Sequence, residues 1–379
     1  LKLAYSTSDN KITTLDLGEL RLENLKDNLS LFRFNVENPQ LWFPNGYGNP
    51  TLYEATIYLY NKESICLDSV KTRFGIRTIE LSQKKDKYGS EFCFIVNGMP
   101  IFAKGANLVP SAMHKERYEG MAKHIDLVKE CNMNMLRVWG GGYYVDEQMY
   151  KACDEKGILI WQDFPFACAL YPATKDYLTE VETEARQNVL RISSHPSLAV
   201  WCGNNEIWEG WGNWSWDKEV KDTALAVKNY NTLFRELLPN IVNEYCPTID
   251  YTHSSPLNGW GRKESLTEGD CHYWGVWWGD SVFETYTRKV PRFMSEYGFQ
   301  SSPNKKTVEK YFTLPYSKEN KGFAIHQKHN RGFELIENRI LERFDSYSKD
   351  EDYINKTSIV ASEAFSIGIE SHLRAMPYC

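Results

Sequence analysis

Residues 134–163 read NMLRVWGGGYYVDEQMYKACDEKGILIWQD, and this stretch decides the fold. Two strand-like segments, Asn134–Val138 and Ile158–Trp161, flank a helix-like one, Asp146–Lys156. A strand, a helix and a strand in so short a span make a parallel βαβ unit. The alternation continues outward. Further strand-like segments are Leu198–Cys202, Thr248–Thr252, Cys271–Trp274 and Arg292–Ser295. Helix-like segments are Tyr118–Cys131, Tyr177–Ser193 and Val220–Tyr245. Apolar residues recur at helical spacing, as in Met121, Ile125 and Val128. Counting a first strand near 101–106, the series falls one short of the eight strands of a (β/α)8 TIM barrel. A last helical pattern, Tyr353–Ala375, should precede the missing strand. The expectation is a barrel truncated before its last strand. A doubly wound sheet is the rival, but no Gly-rich phosphate loop follows the first strand.

Upstream the rhythm differs. Residues 1 to about 80 suggest short alternating strands, as in Leu31–Val36 and Ala55–Tyr60, with a turn-rich stretch, Asn38–Pro50, between them. An immunoglobulin-like β-sandwich fits this size and pattern. The expected division is 1–82 for the sandwich and 83–379 for the barrel. A hairpin-like stretch leads into the barrel: Phe92–Val96, a turn at Asn97-Gly98, then Ile101–Lys104.

Composition narrows the function. No apolar run approaches the roughly 18–20 residues that cross a bilayer, so no membrane partner is expected. The net charge of −6, with no dense Lys/Arg block, argues against nucleic acid. The nine cysteines form no CxxC and sit mostly in apolar stretches, where buried free thiols are expected. The eight histidines show no HExxH spacing, and neither a metal nor a cofactor is expected. Gly140-Gly141-Gly142 lacks the following Lys-Ser/Thr of a phosphate cradle. The 12 tryptophans stand out, since Leu, Ile and Val fill a core more simply.

In a barrel the chemistry lies at the C-terminal strand ends. The second strand ends in Arg137-Val138-Trp139, the fourth in Asn204-Asn205-Glu206 and the sixth in His272-Tyr273-Trp274. The seventh ends in Ser295-Glu296-Tyr297. Glu206 and Glu296 thus end strands expected to face each other across the barrel mouth. Glycosidic cleavage needs such a pair: one carboxylic acid protonates the leaving oxygen, and one carboxylate attacks or stabilises the anomeric carbon. The Asn205 amide can hydrogen-bond a neighbouring sugar hydroxyl. Aromatics near these ends, including Trp139, Trp214, Trp274 and Trp278, suit the C–H faces of sugars. Blander readings stand beside these. Glu296 can be an ion-pair partner of Arg137, and an arginine there would also keep a nucleophile ionised. The tryptophans after Glu206 can be a packed helix face, although the interleaved Gly203, Gly210 and Gly212 favour a surface loop.

At these residues the sequence resembles glycoside hydrolase family 2, and within it the β-mannosidases. Pro39–Pro44 through Pro50–Tyr53, and then Arg73-Phe74-Gly75-Ile76-Arg77, are similar to the family's immunoglobulin-like domain and its exit into the barrel. Asn134–Gly142, Cys153–Phe164, Trp201–Glu206 and Met294–Ser301 resemble its second, third, fourth and seventh strand regions. The resemblance implies Glu206 as acid/base and Glu296 as nucleophile of a retaining mechanism that removes terminal non-reducing β-D-mannose. It implies that Asn205 contacts the 2-hydroxyl and that Trp139, Trp214 and Trp278 line sugar subsites. Arg137 and the segment His272, Tyr273 and Trp274 would support the nucleophile side. The implied partners are β-mannoside oligosaccharides or mannosylated glycans. The resemblance also implies a fragment without the family's N-terminal jelly roll, and therefore an incomplete sugar pocket. Another family 2 activity, such as β-glucuronidase or β-galactosidase, and a catalytically impaired carbohydrate-binding fragment are the alternatives. Oligomeric state stays open. So does location, with a soluble periplasmic, lysosomal or secreted protein all compatible.

Overall fold

The computed structural model describes residues 1–6, 12–19, 32–110 and 121–375. Two compact units emerge: Leu1–Ser82 with Cys93–Ser254, and Gln83–Phe92 with Ser255–Cys379.

The first unit opens with a four-stranded antiparallel sheet. Its order is Ile12–Asp16, Lys2–Ser6, Tyr53–Tyr60 and Cys66–Phe74. Leu3, Tyr5, Tyr53 and Ala55 are its buried residues. Their alternate spacing fits the two-residue repeat of a strand, which buries one face. The expected strand at 31–36 has no ladder over residues 32–36, and Leu31 lies outside the described residues. Side-chain packing holds this segment instead: the Phe34 ring lies 6.0 Å from Tyr5 and 5.9 Å from Phe74.

The Trp42 motif is an anchor. Its side chain is fully buried, and its indole N–H donates to the Asp154 carbonyl at 2.8 Å. The exit Arg73–Arg77 is fixed in the same way. The Arg77 guanidinium donates to the carbonyls of Pro196 and Leu198, and burial pulls its pKa down to about 10.

A three-stranded antiparallel sheet, Ile79–Ser82, Cys93–Val96 and Met99–Ile101, leads to a five-stranded parallel sheet. Its strands in order are β1 Gly105–Leu108, β2 Met135–Val138, β3 Leu159–Asp163, β4 Leu198–Cys202 and β5 Asp250–Thr252. Every residue of β2, β3 and β4 is buried, as in parallel strands covered on both faces. The strand expected near 101–106 is therefore β1, shifted toward Leu108; Met99–Ile101 completes the hairpin before it.

The helices between follow from their patterns. Glu147–Lys156 buries Met149, Tyr150, Cys153 and Asp154. The Asp146 side chain caps its first turn by accepting from the Met149 N–H at 2.9 Å. Gly157 ends it at φ +73°. A Cβ at Gly157 would stand 2.8 Å from the Asn45 nitrogen and 3.0 Å from the Phe43 oxygen. Gly157→Ala is expected to cost about 2 kcal/mol, from left-handed strain plus this backbone contact. A lower urea midpoint at unchanged m-value would show it, and an unmoved midpoint would refute it. Lys175–Ile192 buries Val181, Ala185, Val189 and Ile192. The helix expected at 118–131 is described only from Met121, and residues 118–120 lie outside the described part. The long pattern at 220–245 begins at Thr223 and widens to a π-turn over Asn231–Leu237.

Among its described residues the second unit holds a parallel pair, β6 Asp270–Tyr273 and β7 Phe293–Tyr297, and four α-helices. Three of them, Lys305–Tyr311, Lys321–Ala324 and Gly332–Leu341, were not expected. The segment Gln83–Phe92 belongs here: Asp86 makes a bidentate pair with buried Arg292 at 2.8–2.9 Å, and that bond lowers the Asp86 pKa to about 2. The helix Glu351–Arg374 buries Tyr353, Ile354, Thr357, Val360 and Ala364 on one face. No described helix is long and apolar enough to cross a membrane.

The cysteines depart from expectation. Cys153, Cys202, Cys246 and Cys271 are buried free thiols, but Cys66, Cys131 and Cys168 are exposed. Cys379 lies outside the described residues. The tryptophans also divide: Trp42, Trp161 and Trp201 are core, with their bulk fully buried.

Candidate active site

Five of the proposed residues lie in the first unit. Arg137, on β2, is buried and grips Asp163 at the end of β3 with two bonds, Nε to Oδ1 at 3.2 Å and Nη2 to Oδ2 at 2.7 Å. Asp163 also accepts from the Trp161 indole at 2.9 Å and the Gly140 N–H at 2.9 Å. The donors thus converge on this buried carboxyl, and the guanidinium forms a two-bond ion pair with it. Nη1 of Arg137 donates to Asn107 at 3.0 Å, and Nη2 to the Asn205 side-chain oxygen at 2.8 Å.

That last bond orients Asn205. Its carbonyl oxygen faces Arg137, so its amino group points the other way, toward the Cys168 sulfur at 3.5 Å. Asn205 is buried, and its backbone pairs with the loop after β3: its N–H donates to Phe166 and its carbonyl accepts from Cys168. It can therefore offer N–H donors to a sugar hydroxyl oxygen. Asn204 is a structural neighbour, with its oxygen accepting from Ser254 at 2.9 Å and from the Ile207 N–H at 3.1 Å.

Glu206 follows at φ +61°, an uncommon conformation for a side chain of this size. The fixed Asn204 on one side and the helix Ile207–Asn213 on the other impose it. Its carboxylate Oε2 lies 3.6 Å from the Cys168 thiol. Cys168 is exposed and itself has φ +45°. Strained backbone of this kind gathers at functional sites.

The Gly140–Gly142 run is explained sterically. A Cβ at Gly140 would sit 2.6 Å from the Phe166 carbonyl, and one at Gly141 would collide with the Trp139 indole at 1.9 Å. The glycines let Trp139 fold over the chain, half-buried. The tryptophans after Glu206 lie on short helices, so the surface-loop expectation is corrected. Trp214, at the end of the first of these, is 39% exposed with its edge on Trp216.

The other five lie in the second unit. Glu296 is on β7, with the Trp274 indole N–H 3.2 Å and His272 Nδ1 3.4 Å from its Oε2. A bulge creates this grouping. Cys271 pairs with Met294, but His272 pairs with Glu296, so Ser295 is the extra residue. Tyr273 is corrected. Successive strand residues point to opposite faces, so it turns away from the His272 face. It packs among Trp260 at 5.8 Å and Tyr286 at 5.9 Å, 5% exposed. Trp278 is 58% exposed and lies against the His329 ring at 4.1 Å. Asp163, Cys168, Ser255 and Asp270 were not singled out from sequence. Only Asp163, closing Trp161-Gln162-Asp163 at a strand end, carried a positional signal.

The family model described as "Glycosyl hydrolases family 2" matches residues 2–77. The chain is 34% identical over 368 residues to "Beta-mannosidase B" of Aspergillus flavus, covering 91% of this chain and 42% of that protein. It is 35% identical over 358 residues to "Beta-mannosidase B" of Aspergillus terreus, covering 90% of this chain and 42% of that one. Among solved structures, the β-D-mannosidase of Dictyoglomus thermophilum superposes with a TM-score of 0.82 at 34% identity. That match covers 100% of this chain and 46% of the other. The chain thus spans less than half the length of these relatives.

Proposed function

We propose that the chain belongs to glycosyl hydrolase family 2 and carries the two glutamates of a retaining exo-β-mannosidase. Glu206 acts as acid/base and Glu296 as nucleophile. Terminal β-D-mannose leaves the non-reducing end of β-mannoside oligosaccharides or mannosylated glycans. Arg137 orients Asn205, and Asn205 donates to the 2-hydroxyl. Trp139, Trp214 and Trp278 offer flat faces to sugar rings. In the same reading residues 1–82 are an immunoglobulin-like sandwich and 83–379 belong to a (β/α)8 barrel whose strands begin with β1.

The observation that carries this reading is the Arg137–Asn205–Glu206 assembly. The amide is locked with its donors turned from the arginine, and next to it stands a carboxylate on strained backbone. Similarity to relatives named as β-mannosidases supports the mannose assignment over the alternatives.

The mechanism follows from these groups. Glu206, protonated, gives its proton to the glycosidic oxygen while Glu296 attacks the anomeric carbon. The Trp274 N–H and the His272 ring hold the Glu296 carboxylate in place for that attack. Glu206, now a carboxylate, takes a proton from water, which displaces Glu296 and leaves β-mannose.

The test is hydrolysis of p-nitrophenyl β-D-mannoside, β-D-galactoside and β-D-glucuronide. The mannoside is expected to be cleaved in clear preference. Cleavage of the galactoside or glucuronide without the mannoside would overturn the substrate assignment. Calorimetric binding of mannosides without turnover of any would overturn the enzyme reading.

A further inference from the structure

Asp270 is a fully buried carboxylate at the start of β6. Its Oδ1 accepts the Leu257 N–H at 2.8 Å. Its Oδ2 accepts two hydroxyls at 2.6 Å each, from Ser255 and from Ser295, the bulge residue beside Glu296. In all three bonds the Asp270 oxygens are the acceptors. Ser255 is also fully buried, and its Oγ lies 3.0 Å from His272 Nε2. A serine hydroxyl carries one hydrogen, and here the bond to Asp270 takes it. Only a lone pair is left for the imidazole, so Nε2 must be the donor. The tautomer of a histidine is set by the bond its far nitrogen makes. The near nitrogen, Nδ1, stands 3.4 Å from Glu296 Oε2.

We propose that Ser255 and Asp270 are positioning residues that fix a proton on His272 Nε2 and, through that ring and Ser295, aim the Glu296 carboxylate. This deepens the reading above and rests on Glu296 being the nucleophile. The ring cannot flip without placing a bare nitrogen against the lone pair of Ser255. Any second proton it takes goes to Nδ1, between the ring and Glu296. Ser295 ties the bulge to the same carboxylate, so β6 and β7 share one anchor directly beneath the reacting group.

The experiment combines nitrogen NMR with kinetics on the whole protein. With ¹⁵N-labelled histidine, His272 is assigned by the signals that vanish in His272→Gln. The wild type is expected to show a protonated Nε2, and Ser255→Ala to lose that fixed pattern. In Ser255→Ala and Asp270→Asn, kcat for an aryl mannoside should fall about 10-fold or more, as for other outer partners of a site histidine. KM should change little. Ser255→Thr, which keeps the hydroxyl, should restore both readouts. Thermal melts identify any variant that fails to fold, and Ser255→Thr then carries the comparison. A wild-type ring with bare Nε2 overturns the proposal, as does a Ser255→Ala protein with an unchanged ring pattern. The NMR arm needs no turnover. Full activity in Glu296→Ala would instead remove the nucleophile assignment and leave the tautomer result standing.

Discussion

Glu296→Ala is expected to lower turnover of an aryl β-mannoside by about 10³-fold or more. That corresponds to about 4 kcal/mol of lost transition-state stabilisation. The reason is chemical, because no covalent glycosyl intermediate can form without the carboxylate. The variant also leaves the Trp274 N–H without its acceptor, at a cost of about 1–3 kcal/mol in stability. Unfolding must therefore be measured beside kinetics, so that lost chemistry is told apart from lost fold. For the wild type, proton NMR of the first-formed sugar should show the β-anomer, as double displacement requires. An α-anomer at early times, or near-wild-type turnover in the variant, would sink the mechanism.

Glu206→Ala should cost about 10²–10⁴-fold on substrates whose leaving group needs a proton. On a dinitrophenyl mannoside the first step needs no acid, so the loss there should be much smaller. Hydrolysis of the intermediate still needs a base, and an added small anion such as azide should restore turnover with this substrate. The fold should tolerate the change well. Alanine meets the same left-handed strain at φ +61° as glutamate. An equal loss with good and poor leaving groups would remove Glu206 from the acid role.

The parallel core was legible because buried strands and amphipathic helices have different periods. β4 falls at Leu198–Cys202 as expected, and β2 and β3 fall within two residues of their sequence positions. The expectation failed where periodicity carries no information. Residues 32–36 alternate like a strand but find no pairing partner there, and aromatic contacts hold them. Lys305–Tyr311 is short and buries only Val308, so its repeat carries little signal, whereas Gly332–Leu341 buries Leu335, Ile336 and Ile340 at a helical spacing that is legible in the sequence. Tyr273 shows a different limit. His272-Tyr273-Trp274 places an attractive aromatic among attractive neighbours, but strand alternation turns it into the core.

By itself the sequence determined the order of strands and helices, and the strand ends at which Arg137, Asn205, Glu206, His272 and Glu296 would stand. These follow from local spacing. Only the tertiary structure decided which donors meet which acceptors. Arg137 grips both Asp163 and the Asn205 side-chain oxygen, and so turns the Asn205 amino group away from itself. A one-residue bulge sets Glu296, rather than Ser295, beside His272. Ser255 becomes a proton director only because Asp270, 15 residues on, folds back against it. Hydrogen bonds are short-ranged and directional, so shifts of a few tenths of an ångström decide them, and a pattern of residue types along a chain does not hold that information.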